Sequence, residues 1–323
     1  MSAAASPDDA AVPDARRVTG ADVLARRGIS AEPVPSASEQ RFPDGAHYRI
    51  EIPSVEGPTV LRAVVAQASA EGIVVNRASQ GSGAMLLSAA ELAEMARIGA
   101  DSGIEVSLFT GPREEWDVGS VAQSGEGPSR AGLVRSVRQL RYAVDDVLRA
   151  VDHGIRGFLV ADTGLLELLA DMQAEGQIPA SVVWKVSAML APANPLTVAQ
   201  LERLGASTVN VPADVTLGQL AEMRSVTSLP LDLYVEAPTG MGGVVRGHEA
   251  ADLVAMASPM YVKFGLRNSR PLYPSGMHLA DEAAAIAREK VHRARVALEW
   301  MERSGLGLVQ SQPGAPGLGV PNP

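Results

Sequence analysis

Between residues 47 and 304 a short apolar run and an amphipathic helical stretch alternate along the chain. The runs are YRIEIPS (48–54), VVNRAS (74–79), EVSLF (105–109), GFLVAD (157–162), VWKVSAM (183–189), STVNVP (207–212), LDLYVEA (231–237) and YVKFG (261–265). Four of them follow a helical pattern that ends in glycine, at Gly72, Gly103, Gly154 and Gly205. A left-handed glycine just past a helix, followed at once by a strand, is the turn of a βα unit. Eight such units in tandem predict the α/β class and a single (β/α)8 TIM-type barrel. The alternative is an open, doubly wound sheet. That fold carries Gly-x-Gly-x-x-Gly after its first strand, and the nearest match here, QGSG (80–83), lacks the third glycine.

The flanks read differently. Residues 1–45 are rich in Ala, Pro, Ser and Asp and lack sustained periodicity. They predict a disordered leader with one short helix near Gly20–Arg27. Residues 305–323 are Gly/Pro-rich and predict a disordered tail. The barrel is expected over 46–304, with both flanks unpacked.

Side chains alternate across a strand, so one parity meets the helices and the other faces the barrel axis. Leu231, Leu233 and Val235 oppose Asp232, Tyr234 and Glu236. Trp184 and Val186 oppose Lys185 and Ser187. Val262 and Phe264 oppose Tyr261 and Lys263, Val209 and Val211 oppose Thr208 and Asn210, and Ile50 and Ile52 oppose Arg49 and Glu51. The apolar parity belongs against the helices, so the axis is polar. Charges early in the strands, Arg49, Glu105 and Asp232, read as packing. Those late in the strands lie at the end where barrel enzymes keep their active sites.

Only three of the 28 basic residues are lysines, and two of them, Lys185 and Lys263, end inward-facing strands. Lys185, Glu236 and Lys263 are the predicted catalytic set, converging on one cavity. A desolvated lysine beside another cation serves as base or Schiff-base nucleophile, while a carboxylate between two lysines keeps both charged for anion binding. Glu51, Arg77 and Asn210 are expected nearby as substrate-binding residues. The loops add Gln80 and Ser82, whose turn offers either an anion nest or a plain tight turn. They also add Asp162, Arg267 and Asn268. The long loop after the third strand carries Arg113, Trp116 and Asp117 and reads as a lid.

Other chemistries find less support. The chain has no cysteine, which removes disulfides, thiol nucleophiles and cysteine-held iron–sulfur clusters. The histidines lack metal-ligand spacing, and no metal site is assigned. Mg²⁺ on Glu51, Asp162 and Glu236 is the one oxygen-ligand alternative. No Gly-x-Ser-x-Gly elbow is present. A net charge of −9 argues against nucleic acid or an acidic membrane as partner. No apolar run is long enough to span a bilayer. With no secretory pattern at the N-terminus, a cytoplasmic location is expected.

The stretches IEIPSVEGP (50–58), SQGSGAM (79–85), IEVSLF (104–109), TVNVPAD (208–214), YVEAP (234–238) and YVKFGLRN (261–268) resemble bacterial proteins of peptidase family U32. The resemblance covers most of 47–303. It implies a TIM-like barrel and a peptidase of unassigned mechanism. Other members resemble oxygen-independent hydroxylases with an iron–sulfur cluster on four cysteines, a chemistry this cysteine-free chain lacks. No catalytic residue carries over.

Three functions follow. The first is hydrolysis or processing of a peptide or amide, implied by the resemblance. The second is a lysine-dependent lyase or aldolase-like reaction on a small carbonyl or phosphorylated substrate. The third is a noncatalytic ligand-binding or scaffold barrel, with the flanks recruiting a protein partner. Homo-oligomerisation is compatible with each.

Overall fold

A computed structural model describes residues 20–29, 37–112 and 132–323. The leader residues 1–19 and 30–36, and Arg113, Trp116 and Asp117 of the expected lid, lie outside the described residues.

The chain forms a closed barrel of eight parallel strands in sequential order. They are β1 (Tyr48–Pro53), β2 (Arg77–Gln80), β3 (Glu105–Phe109), β4 (Gly157–Val160), β5 (Val183–Val186), β6 (Thr208–Asn210), β7 (Leu231–Glu236) and β8 (Met260–Phe264). The helices are α1 (Gly20–Ala25), α2 (Pro58–Glu71), α3 (Ala89–Ser102), α4 (Ser136–Asp152) and α5 (Thr163–Ala174). They continue with α6 (Pro195–Arg203), α7 (Leu217–Arg224), α8 (Ala250–Ala257) and α9 (Ala280–Ser304). The short helix expected near residue 20 is α1.

Local chemistry sets the helix ends. Ser88 and Thr216 open α3 and α7 with capping boxes, each side-chain oxygen accepting from a backbone N–H and each N3 side chain reaching back. Gly72 and Gly103 close α2 and α3 at φ 64° and 62°, where a Cβ is disfavoured, and β2 and β3 follow them.

The strand parity read from the sequence holds for most of the barrel. Ile50, Ile52, Val106, Leu108, Trp184, Val186, Val209, Leu233, Val235 and Val262 are buried in one apolar core between strands and helices. The opposite parity turns Arg49, Glu51, Arg77, Glu105, Lys185, Asp232, Tyr261 and Lys263 inward, all buried. A polar axis inside an apolar sleeve is the frame for everything below.

The flanks are not unpacked. Residues 305–323 run beneath the N-terminal end of the strands. Gln310 bridges Tyr48 in β1, and Ser311 accepts from Arg49 Nε at 3.0 Å. The Pro316 carbonyl accepts from Arg49 Nη2 at 2.6 Å. The Gly319 amide donates to Glu105 Oε2 at 3.1 Å, and the Asn322 amide to the Gly154 carbonyl at 2.8 Å. The expected disordered tail is corrected to a floor. Its docking uses backbone groups and polar side chains, Gln310 and Ser311 among them, which leave no hydrophobic period to read. The expected leader boundary at 45 moves as well. Ser38 donates its amide to the Ala255 carbonyl at 2.8 Å, and buried Phe42 meets the Tyr261 ring edge-on at 5.5 Å. The Arg49 guanidinium lies 4.0 Å over the Phe42 ring.

Candidate functional site

The site is built on the barrel axis. Glu51 on β1 is register partner of both Arg77 on β2 and Lys263 on β8. This register brings one carboxylate within reach of three cations. Lys185 Nζ bonds Glu51 Oε1 directly, and Lys263 Nζ lies 3.3 Å from the same oxygen. Arg77 Nη1 donates to Glu51 Oε2 at 3.3 Å. Ser79 donates to Glu51 at 2.6 Å and accepts from Lys185 at 3.0 Å. With its side-chain amide turned to satisfy both neighbours, Asn210 presents its Oδ1 to Lys263 Nζ at 2.7 Å and its Nδ2 to the Asp232 carbonyl at 3.1 Å. Lys263 Nζ also sits 4.2 Å from the Tyr234 ring centroid, a cation over a π face.

Arg77 links this cluster to the floor. Its Nε donates to Glu105 Oε1 at 2.6 Å and its Nη1 to Asp232 at 2.9 Å, and its guanidinium stacks 3.5 Å from the Tyr261 centroid. Arg77 thus braces the barrel rather than facing its mouth. Among the described residues, Ser107 Oγ, Asp232 Oδ1 and Arg77 Nη2 are buried atoms without a hydrogen-bond partner. Leu159, register partner of Lys185, is partly exposed although its neighbours Phe158 and Val160 are buried. Lys185 and Glu51 have no exposed side-chain surface and Lys263 only 1%, so the cluster is closed around itself rather than open to a cavity as expected.

Electrostatics separates the groups. Burial raises the Glu51 carboxyl, but Lys185, Lys263 and Arg77 outweigh it and hold the group far below the ordinary carboxylate range. Burial lowers the Lys185 ammonium to about 7, opposed by Glu51 and reinforced by Lys263. A neutral amine is thus accessible near neutral pH, the condition for lysine nucleophilicity.

The third lysine forms a second buried site that sequence reasoning missed. Lys290 on α9 donates to the Pro53 carbonyl at 2.8 Å. Burial lowers it to about 8, opposed by Glu56. Glu56, in the loop after β1, accepts from the Gly81 amide at 2.9 Å, the Ser82 amide at 3.0 Å and the Ser82 hydroxyl. The turn after β2 is indeed an anion nest, and its anion is the chain's own carboxylate. The signal was present in IEIPSVEGP, but an acidic residue in a loop has no periodicity to give it a direction.

Several expected site residues are engaged elsewhere. Gln80 closes its own turn, donating to the Gly83 carbonyl and accepting from the Gly83 amide, both at 3.0 Å. Ser82 belongs to the Glu56 nest. Asp162 caps α5, accepting from the Leu165 amide at 2.9 Å and the Val134 amide at 3.1 Å. Arg267 and Asn268 are exposed on the loop after β8.

Glu236 is the main correction. The ladder between β7 and β8 slips a register between Tyr234 and Glu236, so Glu236 pairs with Phe264 instead of continuing the inward parity. Its Oε1 accepts from the Arg267 amide at 3.1 Å, and its Oε2 lies 3.8 Å from Arg293 Nε on α9. It lines a flank cavity and is not among the partners of Lys185 and Lys263. The carboxylate between the lysines is Glu51. The trio named for Mg²⁺ is also dispersed, with Glu51 on the axis, Asp162 at a helix cap and Glu236 on the flank. Among the described residues no group of three His, Asp or Glu side chains is placed to hold a metal ion. No helix among them is long and apolar enough to cross a membrane.

The two depressed lysines fix the sign of a pH effect. Folded Lys185 titrates near 7 and Lys290 near 8, each below the ordinary 10.5. Between about pH 7 and pH 10 the unfolded chain therefore binds more protons, and stability rises with pH across that window. Urea denaturation across it should show the rise, and Lys185→Met should flatten it. A profile that falls from about pH 7 to 9 would contradict the assignment.

No protein-family model matches this chain. No curated protein matches it either. Solved structures do resemble it. A CutC protein named for copper homeostasis, from Streptococcus agalactiae, is 12% identical with a TM-score of 0.47, over 67% of this chain and 98% of its own. A U32 peptidase is 17% identical with a TM-score of 0.40, over 71% and 97%. A 2,3-dimethylmalate lyase of the PEP mutase/isocitrate lyase superfamily is 12% identical with a TM-score of 0.43, over 84% and 87%.

Proposed function

We propose that this chain is a barrel enzyme that acts on a small carbonyl compound through the amine of Lys185. The observation that carries the reading is the meeting of Lys185 and Lys263 on Glu51 inside the barrel axis. The neutral amine adds its lone pair to the carbonyl carbon, forming a C–N bond. The carbonyl π bond breaks, and its oxygen takes one proton from the attacking nitrogen and one from water before departing as water, leaving an iminium whose positive charge faces Glu51. That charge replaces the ammonium Glu51 already accommodates, so the pocket is organised for it in advance. Lys263 stays beside the carboxylate and opposes protonation of the free amine.

Processing of a peptide or amide is the second reading, favoured by the U32-like stretches around β1, β2, β7 and β8. It finds less support in the side chains. Among the described residues, His47 accepts from the Val309 amide and His292 meets Glu71, so neither faces a hydroxyl that a base would activate.

Borohydride reduction in the presence of a panel of 2-oxo acids and aldehydes distinguishes the two. The expected product is a secondary amine at Lys185, located by peptide mass mapping and lost in Lys185→Met while circular dichroism is unchanged. Adducts confined to Lys290 or the α-amine, or peptide cleavage that survives Lys185→Met, would refute the lysine reading.

A further inference from the structure

The register slip that takes Glu236 off the axis also builds a second site. A cavity of about 370 Å³ lies between the ends of β7 and β8, the loop before α8 and the outer face of α9. That is within the ordinary size range of small-molecule sites. It is lined by Glu236, Val245, His248, Phe264, Arg293, Ala297 and Trp300, among others. Most of that wall is apolar, and its charged or titratable side chains are Glu236, His248 and Arg293.

The Glu236 side chain is only 8% exposed. The Arg267 amide occupies Oε1, while Oε2 has no hydrogen bond among the described residues and Arg293 Nε stands 3.8 Å away. That spacing is too long for a hydrogen bond. Arg293 Nε forms an ion pair with Glu289 at 2.9 Å, its side chain is 47% exposed, and the terminal nitrogens of its guanidinium have no partner among the described residues. A nearly buried carboxylate oxygen and an open guanidinium fork thus stand side by side. Trp300, 48% exposed, offers an indole at the rim.

We infer that this cavity binds a free α-amino acid with an apolar or aromatic side chain. The ammonium donates to Glu236 Oε2, and the carboxylate accepts from the Arg293 fork. The side chain lies against Val245, Phe264, Ala297 and Trp300. A zwitterion satisfies both charges at once. A lone amine leaves Arg293 facing a bound cation, and a lone carboxylate brings an anion against Glu236. Charge complementarity at this spacing therefore selects the molecule that carries both groups on one carbon. The site is separate from Lys185 and stands whether or not the carbonyl chemistry does.

Isothermal titration of the full chain with L-phenylalanine, L-leucine, 2-phenylethylamine and 3-phenylpropionate tests it. Both amino acids should bind, with saturable heat, and the two single-charge analogues should bind roughly 10- to 100-fold more weakly, the loss of one charge-assisted contact. Glu236→Gln, nearly isosteric, should weaken L-phenylalanine by a similar factor. Trp300→Leu, at the rim where folding is least at risk, should weaken L-phenylalanine more than L-leucine. Absence of binding by either amino acid at millimolar concentration would overturn the proposal. So would equal binding of the single-charge analogues, or L-phenylalanine binding indifferent to both substitutions.

Discussion

Replacing Glu51 with glutamine is expected to lower folding stability by about 3–5 kcal/mol, the cost of leaving buried charge without its counter-ion. Lys185, Lys263 and Arg77 all reach this carboxylate, and all four side chains are buried; Asp232 is a second counter-charge, 2.9 Å from Arg77 and 3.8 Å from Lys185. A typical domain has only about 5–15 kcal/mol of stability to lose. Part of the loss is recoverable, because Lys185 can shed its proton instead of remaining an unpaired cation. The variant should thus regain stability as pH rises, more steeply than the unsubstituted chain. Adding Lys185→Met to Glu51→Gln removes one cation and should restore part of the difference, a coupling that a double-mutant cycle measures. Chemical denaturation of the four proteins is the test. A loss below ~1 kcal/mol for Glu51→Gln would mean that Asp232 and Glu105 suffice as counter-charges without it.

This central role of Glu51 was only partly visible in the chain. Alternation in β1, β5 and β8 placed Glu51, Lys185 and Lys263 on the inner face, and the structure keeps them there. Alternation in β7 continued Asp232 and Tyr234 to Glu236, and there it misled. A bulge shifts parity by one position and has no compositional mark of its own in LDLYVEA. Tyr234, which precedes the shift, keeps its inward place beside Lys263, while the carboxylate expected next to the lysines is displaced to the flank. Asp162 and Gln80 misled for another reason. Polar residues just past a strand serve equally as helix caps, turn clasps or ligand groups, and only neighbouring backbone amides decide which. The barrel itself was legible because eight repeats of one pattern agree, whereas each loop is read once.

Removing residues 310–323 is the second large effect. Arg49 would lose Ser311 and the Pro316 carbonyl, and Asn76 would lose the Ser311 carbonyl, a 3.0 Å bond. Glu105 would lose the Gly319 amide, and the Gly314 bond to Gly103 would go as well. At about 0.5–1.5 kcal/mol each, these bonds matter most where they end on Arg49, Asn76 and Glu105, buried groups that the truncation leaves short of a partner. The expected loss is roughly 3–5 kcal/mol, a melting point lower by several degrees or more. Glu105 is also the partner of Arg77, so the truncated chain should show a displaced pH profile for the Lys185 amine. A truncated protein that melts like the full chain would mean the segment rests on the barrel without holding it.

The floor is also the last part of this region to be made. Every strand and every axial charge precedes residue 305 in the order of synthesis. A nascent chain that has emerged only to α9 already has Arg49, Asn76 and Glu105 in place, yet the groups that complete their hydrogen bonding are still to be translated. Barrel closure and charge satisfaction are thereby separated in time. During that interval, seconds at ordinary elongation rates of ~5–20 residues per second, the N-terminal rim of the strands is open to water and to other chains. The molecule can therefore reach its final stability only after this segment is free to dock, which ties maturation of the barrel to its C-terminal residues.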